Sequence, residues 1–407
     1  VTVCVFGMWH LGCVTAFSLA NKGIKVECLD LDLDLFENFQ KDILPIYEPG
    51  LEDLYKNNKN NISFNCNPSC VSNCDYLWVT FDTPVNDNDE ADVNFVKDQI
   101  EKVIPHLRPG CKIIISSQLP LGTTKQLEQL YPHTFAYIPE NLRLGQAIEI
   151  FNNPDRIVLG IREDVHFNEY KNLLEKITSN ILVMKTEAAE MVKHTINSFL
   201  ATCIVFANEI ARVCDEHGVN VLEVESGFLS EARVASGNLP LKSGLGFAGG
   251  TLARDVNFVS QLNSNLYLLK SIMSSNIKQN DWCYETLQKI NKENAKVGVI
   301  GVTYKPDTNT LRRSTAIEFC NKCKNNNYKV EIFDEQIKEN TVFDIIINND
   351  LISFLERNDV IVIFSKKMQI NDINLFNNKT IIDPNGFYYN ILSQNKHCIY
   401  YRVGVLL

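Results

Sequence analysis

The first thirty residues constrain the fold more than any other part of the chain. Val1 to Phe6 is a short apolar, β-rich run; Gly7-Met8-Trp9-His10-Leu11-Gly12 follows, a helical pattern continues through Ala20, and a second strand pattern from Ile24 to Leu29 ends at Asp30. Strand, glycine turn, helix, strand and acid in this order build a dinucleotide-binding unit. The pyrophosphate meets the amides at the helix start and the acid takes ribose hydroxyls. NAD is the cofactor implied, on a turn made of Gly7, Trp9, His10, Leu11 and Gly12 with Asp30 at the next strand end. Trp9 stands where the middle glycine of G-x-G-x-x-G lets the backbone approach the pyrophosphate, so it is expected to narrow or displace the cofactor site.

A chain of 407 residues, 45% hydrophobic and 22% charged, exceeds the size at which one core stops growing. Two or three domains are expected. Buried-strand patterns recur late in the chain, at Lys296 to Gly301, Val330 to Asp334, Val360 to Phe364 and Thr380 to Asp383, with helical segments between them. From Glu187 to His217 apolar residues recur at helical spacing well beyond a typical helix length, and Gly218 offers a stop. A polar stretch rich in Asn and Lys runs from Asn276 to Asn294. The expected fold class is α/β: two Rossmann-like, doubly wound parallel-sheet domains, residues 1–186 and 277–407, joined by a helical central domain, residues 187–276.

The net charge of −10 argues against a polyanion-binding surface, so no nucleic-acid partner is expected. No uninterrupted apolar run approaches the roughly 18 residues of a membrane span, and the chain opens on a strand pattern; a cytoplasmic protein without a membrane partner is expected. Thirteen scattered cysteines fit reduced thiols. Cys66, Cys70 and Cys74 recur every fourth residue and Cys320 and Cys323 form a C-x-x-C in a helical segment, but neither group has the further ligands of a zinc site. No metal is expected.

A second chemical feature lies at Gly244 to Asp255, G-L-G-F-A-G-G-T-L-A-R-D. Four glycines within seven positions free the backbone for positive φ and close approach, and a helix start follows. Such a loop suits an anionic or strongly polar ligand held by converging amides. Lys193 and Asn197, four apart in the long helical stretch, share one face.

Together these segments resemble the UDP-glucose/GDP-mannose dehydrogenase family, whose members use NAD to oxidise the C6 alcohol of a nucleotide-linked sugar twice, giving a uronic acid. Pro45 to Leu51 (P-I-Y-E-P-G-L), Thr80 to Val96 and the segment N-P-D-R-I-V-L-G are close to family segments, and the resemblance extends from Gly7 to Asp383. It implies that Thr83, Pro84, Ser117, Gln118 and Arg312 complete the cofactor site. Leu142, Arg143, Leu144, Arg233, Lys242, Phe247, Gly249 and Lys305 would face a UDP- or GDP-hexose, with Arg233 reaching it from the twofold mate. Lys193, Asn197, Thr251 and Asp255 would form the reaction centre, and the long helix would build a homodimer.

Departures from the family pattern are concentrated in one step. The family's G-F-G-G-S-C-x-P-K-D cysteine is Thr251, the threonine of its S-T-V-P segment is Gln118, and the second glutamate of its P-E-F-L-x-E-G segment is Leu144, which transfers no proton. Its D-G-R-N arginine is also missing from Asp383-Pro384-Asn385-Gly386. A thiol with a pKa near 8.5 ionises readily, whereas a threonine hydroxyl needs a strong adjacent base. Three functions are therefore consistent with the chain. One is a nucleotide-sugar dehydrogenase for polysaccharide precursors, with an arrested or thiol-free second oxidation. The others are a non-catalytic paralogue that binds NAD and nucleotide sugar, and an epimerase-like enzyme that returns the hydride. The first accounts for the largest part of the chain.

Overall fold

The apolar runs form strands and the glycines between them turn the chain back. A computed structural model describes residues 1–84, 92–235, 239–248, 250–290, 295–303, 311, 314–335, 337, 341–366, 368–370 and 372–405. Two compact units result, Val1–Ile196 and Asn197–Leu407.

The first unit contains strands β1 (Thr2–Phe6), β2 (Lys25–Leu29), β3 (Ile62–Asn65), β4 (Tyr76–Val79), β5 (Lys112–Ile115), β6 (Thr134–Tyr137), β7 (Ile157–Ile161) and β8 (Ile181–Met184). They form one sheet in the order β3-β2-β1-β4-β5-β6-β7-β8, parallel except between β6 and β7. β1, β4 and β7 are buried along almost their whole length, as strands covered on both faces must be. Two apolar clusters fill the faces, one around Phe17, Trp78 and Tyr170 and the other around Phe6, Leu77 and Phe135. In the pairing of β1 with β2, Phe6 lies opposite Leu29, so Gly7 and Asp30 leave the sheet side by side at its carboxyl edge.

The second unit carries β9 (Lys296–Ile300), β10 (Lys329–Phe333), β11 (Thr341–Val342), β12 (Ile345–Ile347), β13 (Val360–Ile363), β14 (Thr380–Ile382) and β15 (Ile399–Tyr401). Their order is β11-β12-β10-β9-β13-β14-β15, with only β11–β12 antiparallel. The four late strand patterns are thus β9, β10, β13 and β14. The polar stretch after Asn276 is helical instead, completing Tyr267–Asn280 and forming Trp282–Ile290. Its sparse apolar residues, Cys283, Tyr284 and Leu287, are the buried ones.

One helix, Thr186–His217, belongs partly to each unit. It ends as the sequence indicates: Gly218 takes φ +67° and Val219 N–H reaches back to Cys214 O at 2.9 Å, a glycine-stopped terminus. By length and hydropathy alone this helix would also pass as a membrane span. It carries Glu190, Asn197 and Asn208 buried in hydrogen bonds, which identifies a core helix of a folded unit.

Glu190 shows how this helix organises its surroundings. Its buried carboxylate accepts from Gly122 N (2.6 Å), Thr124 N (2.9 Å) and Thr124 Oγ1 (2.7 Å), capping the helix Thr123–Leu130. That helix begins at Gly122, φ +87°, which has no side chain to cap it. Glu190→Ala strands three buried donors and is expected to cost roughly 3–5 kcal/mol. The check is a lowered urea midpoint, with Glu190→Gln intermediate.

Candidate active site

At the end of β1 the chain is pressed too tightly for side chains. Gly7 takes φ +99°, and a Cβ there would lie 2.8 Å from the Phe81 ring; a Cβ on Gly12 would lie 1.9 Å from Gly7 O. Thr80 Oγ1 secures the turn, 2.9 Å from Gly7 O. Trp9 sits at φ −91°, ψ −151°, ordinary extended backbone, so its position does not demand glycine. Its indole is about half exposed rather than packed in the core. Trp9 is the N-cap of the helix His10–Asn21, and no side chain caps that helix. The amides of its first turn, at His10, Leu11 and Gly12, therefore remain available to an anion.

Asp30 stands beside this turn. Its Oδ2 accepts from Met8 N (2.7 Å) and its Oδ1 from Asp32 N (3.1 Å), which leaves further lone pairs for ribose hydroxyls. Burial raises its pKa above the usual aspartate value, and the hydrogen bonds from the Met8 and Asp32 amides oppose that shift. An uncapped helix start, a glycine-flattened turn and an oriented acid fit a dinucleotide.

The next loops are tied to one another. Thr83 Oγ1 donates to Gln118 O at 2.6 Å, joining the loop after β4 to the loop after β5. Pro84 is exposed and Gln118 half-buried. Ser117 is fully buried, and its hydroxyl has no hydrogen-bond partner among the described residues. His194 of the long helix lies 3.3 Å from Leu119 O.

Two glutamates absent from the sequence-derived site organise this unit. Glu48, from P-I-Y-E-P-G-L, is buried; it accepts from Ala147 N and Gly145 N, both at 2.9 Å, and meets His10 Nε2 at 2.9 Å. It thus ties the cofactor turn to the segment 145–147. Glu140 places its carboxylate 3.8 Å from Lys193 Nζ and also binds Leu142 N. The signal was in the sequence, since Glu140 is the first glutamate of the P-E motif whose second is Leu144. Lys193 is buried, Arg143 is exposed, and Leu142 and Leu144 are half-buried, Leu142 against the core.

In the second unit Asn197 Nδ2 donates to Asp255 Oδ2, and both side chains are buried. Thr251 lies in the first turn of the helix Gly250–Gln261, four residues before Asp255 and hence on the same face, with its side chain exposed. Cys13, Cys203 and Cys283 are buried, and burial pushes each thiol pKa up, with help from Asp30 at Cys13 and Asp383 at Cys283. These are protonated packing groups rather than thiolates.

The glycine loop corrects the sequence expectation of converging free amides. Ser243 N donates to Glu225 (2.6 Å), Gly244 N to Asn208 (2.9 Å), Leu245 N to Asn385 (2.9 Å) and Phe247 N to Asn276 (2.8 Å). Positive φ is not the reason for glycine at 244 and 246, neither of which adopts it. Close approach is: a Cβ at Gly244 would lie 2.3 Å from Asn385 Oδ1, and one at Gly246 would lie 2.4 Å from Asn276 Oδ1. The near neighbours are the protein's own amide side chains. Phe247 packs in a core with Val205, Val256 and Ile272. Lys242 is exposed, and Arg233 is exposed with its Nε 3.0 Å from Glu231. Gly249, Lys305 and Arg312 lie outside the described residues.

A dinucleotide turn at the carboxyl edge of one parallel sheet, with a second largely parallel sheet in the other unit, defines a double-Rossmann protein. Models of the UDP-glucose/GDP-mannose dehydrogenase family match in three stretches: its NAD binding domain over residues 1–178, its central domain over 187–282 and its UDP binding domain over 298–390. The chain belongs to this family, and its cofactor is NAD. It is 29% identical to UDP-glucose 6-dehydrogenase of Rickettsia prowazekii (strain Madrid E) over 437 aligned residues, covering 99% of both chains. Its fold is that of a UDP-glucose dehydrogenase from Pyrobaculum islandicum, with TM-score 0.87, 23% identity, and 100% and 98% of the two chains covered. UDP-D-ManNAc dehydrogenase from Pyrococcus horikoshii is similar too, with TM-score 0.87, 22% identity and 99% of each chain covered.

Replacing Asp30 by Ala removes the acid beside the turn. The expected result is a Kd for NAD raised roughly 10- to 100-fold, as for loss of one or two hydrogen bonds to a charged group, measured by titration of Trp fluorescence.

Proposed function

We propose that this protein oxidises the C6 alcohol of a UDP-hexose to the aldehyde, with Lys193 taking the hydroxyl proton. The observation that carries this reading is the Lys193–Glu140 pair: a buried ammonium has a carboxylate 3.8 Å away. Lys193 would receive the hydroxyl proton, and the Glu140 carboxylate beside it would offset the charge carried after the transfer. Bound NAD supplies the hydride acceptor. In the second unit Asn197, oriented by the buried carboxylate of Asp255, retains a second amide hydrogen for a ligand oxygen. Asp30 and the amides at the start of the helix His10–Asn21 would hold the cofactor.

The reaction is proposed to stop after one oxidation, or to proceed through the aldehyde hydrate without a covalent intermediate. Thr251 offers a hydroxyl where the family has a thiol, and a hydroxyl captures an aldehyde far less readily without a strong base. A uridine rather than guanosine nucleotide is favoured by the match of residues 298–390 to a UDP binding domain and by the names of the relatives. A homodimer through the long helix is likewise proposed. Phe199, Phe206 and Val213 are exposed along it at seven-residue intervals, an apolar stripe suited to a second helix.

The test is the stoichiometry of NADH with a panel of UDP-hexoses and GDP-hexoses. Arrest at the aldehyde gives one NADH per sugar and a product trapped by hydroxylamine; oxidation of the hydrate gives two NADH and none trapped. In either case Lys193→Ala is expected to lower kcat by about 100-fold or more. In the arrested case Thr251→Cys is expected to raise the yield towards two. Ligand-induced thermal shifts without NADH would replace this proposal with a binding function, and isomerised sugar without net NADH with an epimerase. For the dimer, Phe206→Asp is expected to halve the mass measured by light scattering; a wild-type chain already monomeric would exclude it.

A further inference from the structure

We propose that Arg402 is the phosphate anchor of the second unit, its guanidinium gripping the diphosphate of the nucleotide sugar at the carboxyl edge of β14 and β15. The proposal rests on the uridine-nucleotide reading above and identifies how that nucleotide is held. Register places the residue. Ile382 of β14 pairs with Tyr401 of β15, so Asp383 and Arg402 are the adjacent residues at which the two parallel strands leave the sheet. Open α/β sheets receive ligands outside the carboxyl ends of their strands, and β14 lies next to β13, which flanks the point where the strand order reverses.

The side chain is held in place without being neutralised. Its Cζ lies 5.4 Å from the centroid of the Tyr389 ring, within cation–π range. Gly386, at φ +67°, lies directly beside it: a Cβ there would be 2.5 Å from Arg402 Nε and 2.8 Å from Cζ, so any other residue at 386 would displace the guanidinium. Nε is shielded from water and has no hydrogen-bond partner among the described residues. The nearby carboxylate of Asp383 is already occupied, accepting from Phe387 N (3.0 Å), Tyr388 N (2.8 Å) and Tyr400 Oη (2.7 Å). By contrast, Lys322, Lys324 and Arg357 of the same unit each sit in an ion pair. A shielded donor on a planar cation is costly to leave unpaired, and a phosphate offers the bidentate partner that matches its fork.

Asn385 explains why the cation comes from β15. Its Oδ1 accepts from Leu245 N and is packed against Gly244, so the side chain that follows β14 is used to fix the glycine loop. An anchor for a diphosphate must then come from the neighbouring strand. Arg402 lies beyond residue 390, where the match to the UDP binding domain ends.

The experiment compares UDP with uridine by calorimetry on the full chain, as wild type, Arg402→Lys and Arg402→Gln, after thermal melts confirm that the variants fold. The expected result is a Kd for UDP raised 10-fold or more in Arg402→Gln and less in Arg402→Lys, with uridine affinity unchanged. The wild-type advantage for UDP should also shrink between 0.05 and about 0.5 M salt. Equal UDP affinity in all three proteins overturns the proposal, and so does an equal loss of UDP and uridine, which marks a structural role. If Arg402→Gln does not fold, Arg402→Lys decides alone: a phosphate-specific loss supports the anchor and its absence overturns it. A wild type that forms NADH and binds UDP while the variants match it sinks the anchor and spares the dehydrogenase; a wild type that binds no UDP sinks both.

Discussion

Backbone amides at the carboxyl edge of a parallel sheet have no strand to pair with, and each one shielded from water must find an acceptor. In this protein buried side chains answer that demand. Glu48 takes the amides of Gly145 and Ala147, Glu190 those of Gly122 and Thr124, and Asp383 those of Phe387 and Tyr388. Asn208, Asn276 and Asn385 do the same along the glycine loop. The loops that bear the site residues are thereby fixed before any ligand arrives. The helix His10–Asn21 also starts without a side-chain cap, and there the glycine turn and Asp30 stand beside the open amides.

How much of this was legible in the sequence depends on the range of the interaction. The dinucleotide turn was readable because strand, glycine, helix and acid all fall within the first thirty residues, although Thr80 and Phe81, which pack against it, do not. Four strands of the second sheet, β9, β10, β13 and β14, were readable as apolar runs, whereas β11, β12 and β15, of two or three residues each, were too short to show. Glu48 was not, because nothing within P-I-Y-E-P-G-L reveals that its partners are some 97 and 99 residues away. The role of the glycines at 244 and 246 was also misread, since glycine needed for positive φ and glycine needed for close approach look alike in sequence. Their neighbours, Asn385 and Asn276, are supplied from 141 and 30 residues further along. The segment after Asn276 looked polar because only one side of each helix there is buried.

The candidate site residues follow a similar division. Lys193, Glu140, Asn197 and Asp255 are all polar groups kept out of water or nearly so, each with a partner that offsets the cost of its burial. Thr251, by contrast, is exposed at the first turn of its helix. The groups proposed for the oxidation are those that the fold keeps buried and paired. Position 251 carries no such cost, and its replacement perturbs little of the packing around it.

Gly160 is a bare strand residue in the middle of β7, and the long helix begins directly on top of it. A methyl group there would meet Ala189 Cβ at 2.6 Å and Thr186 Cα at 3.0 Å. Lys193 is one helical turn beyond Ala189 and projects from the same side. The absence of a single side chain from a strand therefore sets the height at which the helix seats, and with it how far the ammonium stands from its carboxylate. A residue far from any ligand thus acts as the spacer between strand and helix.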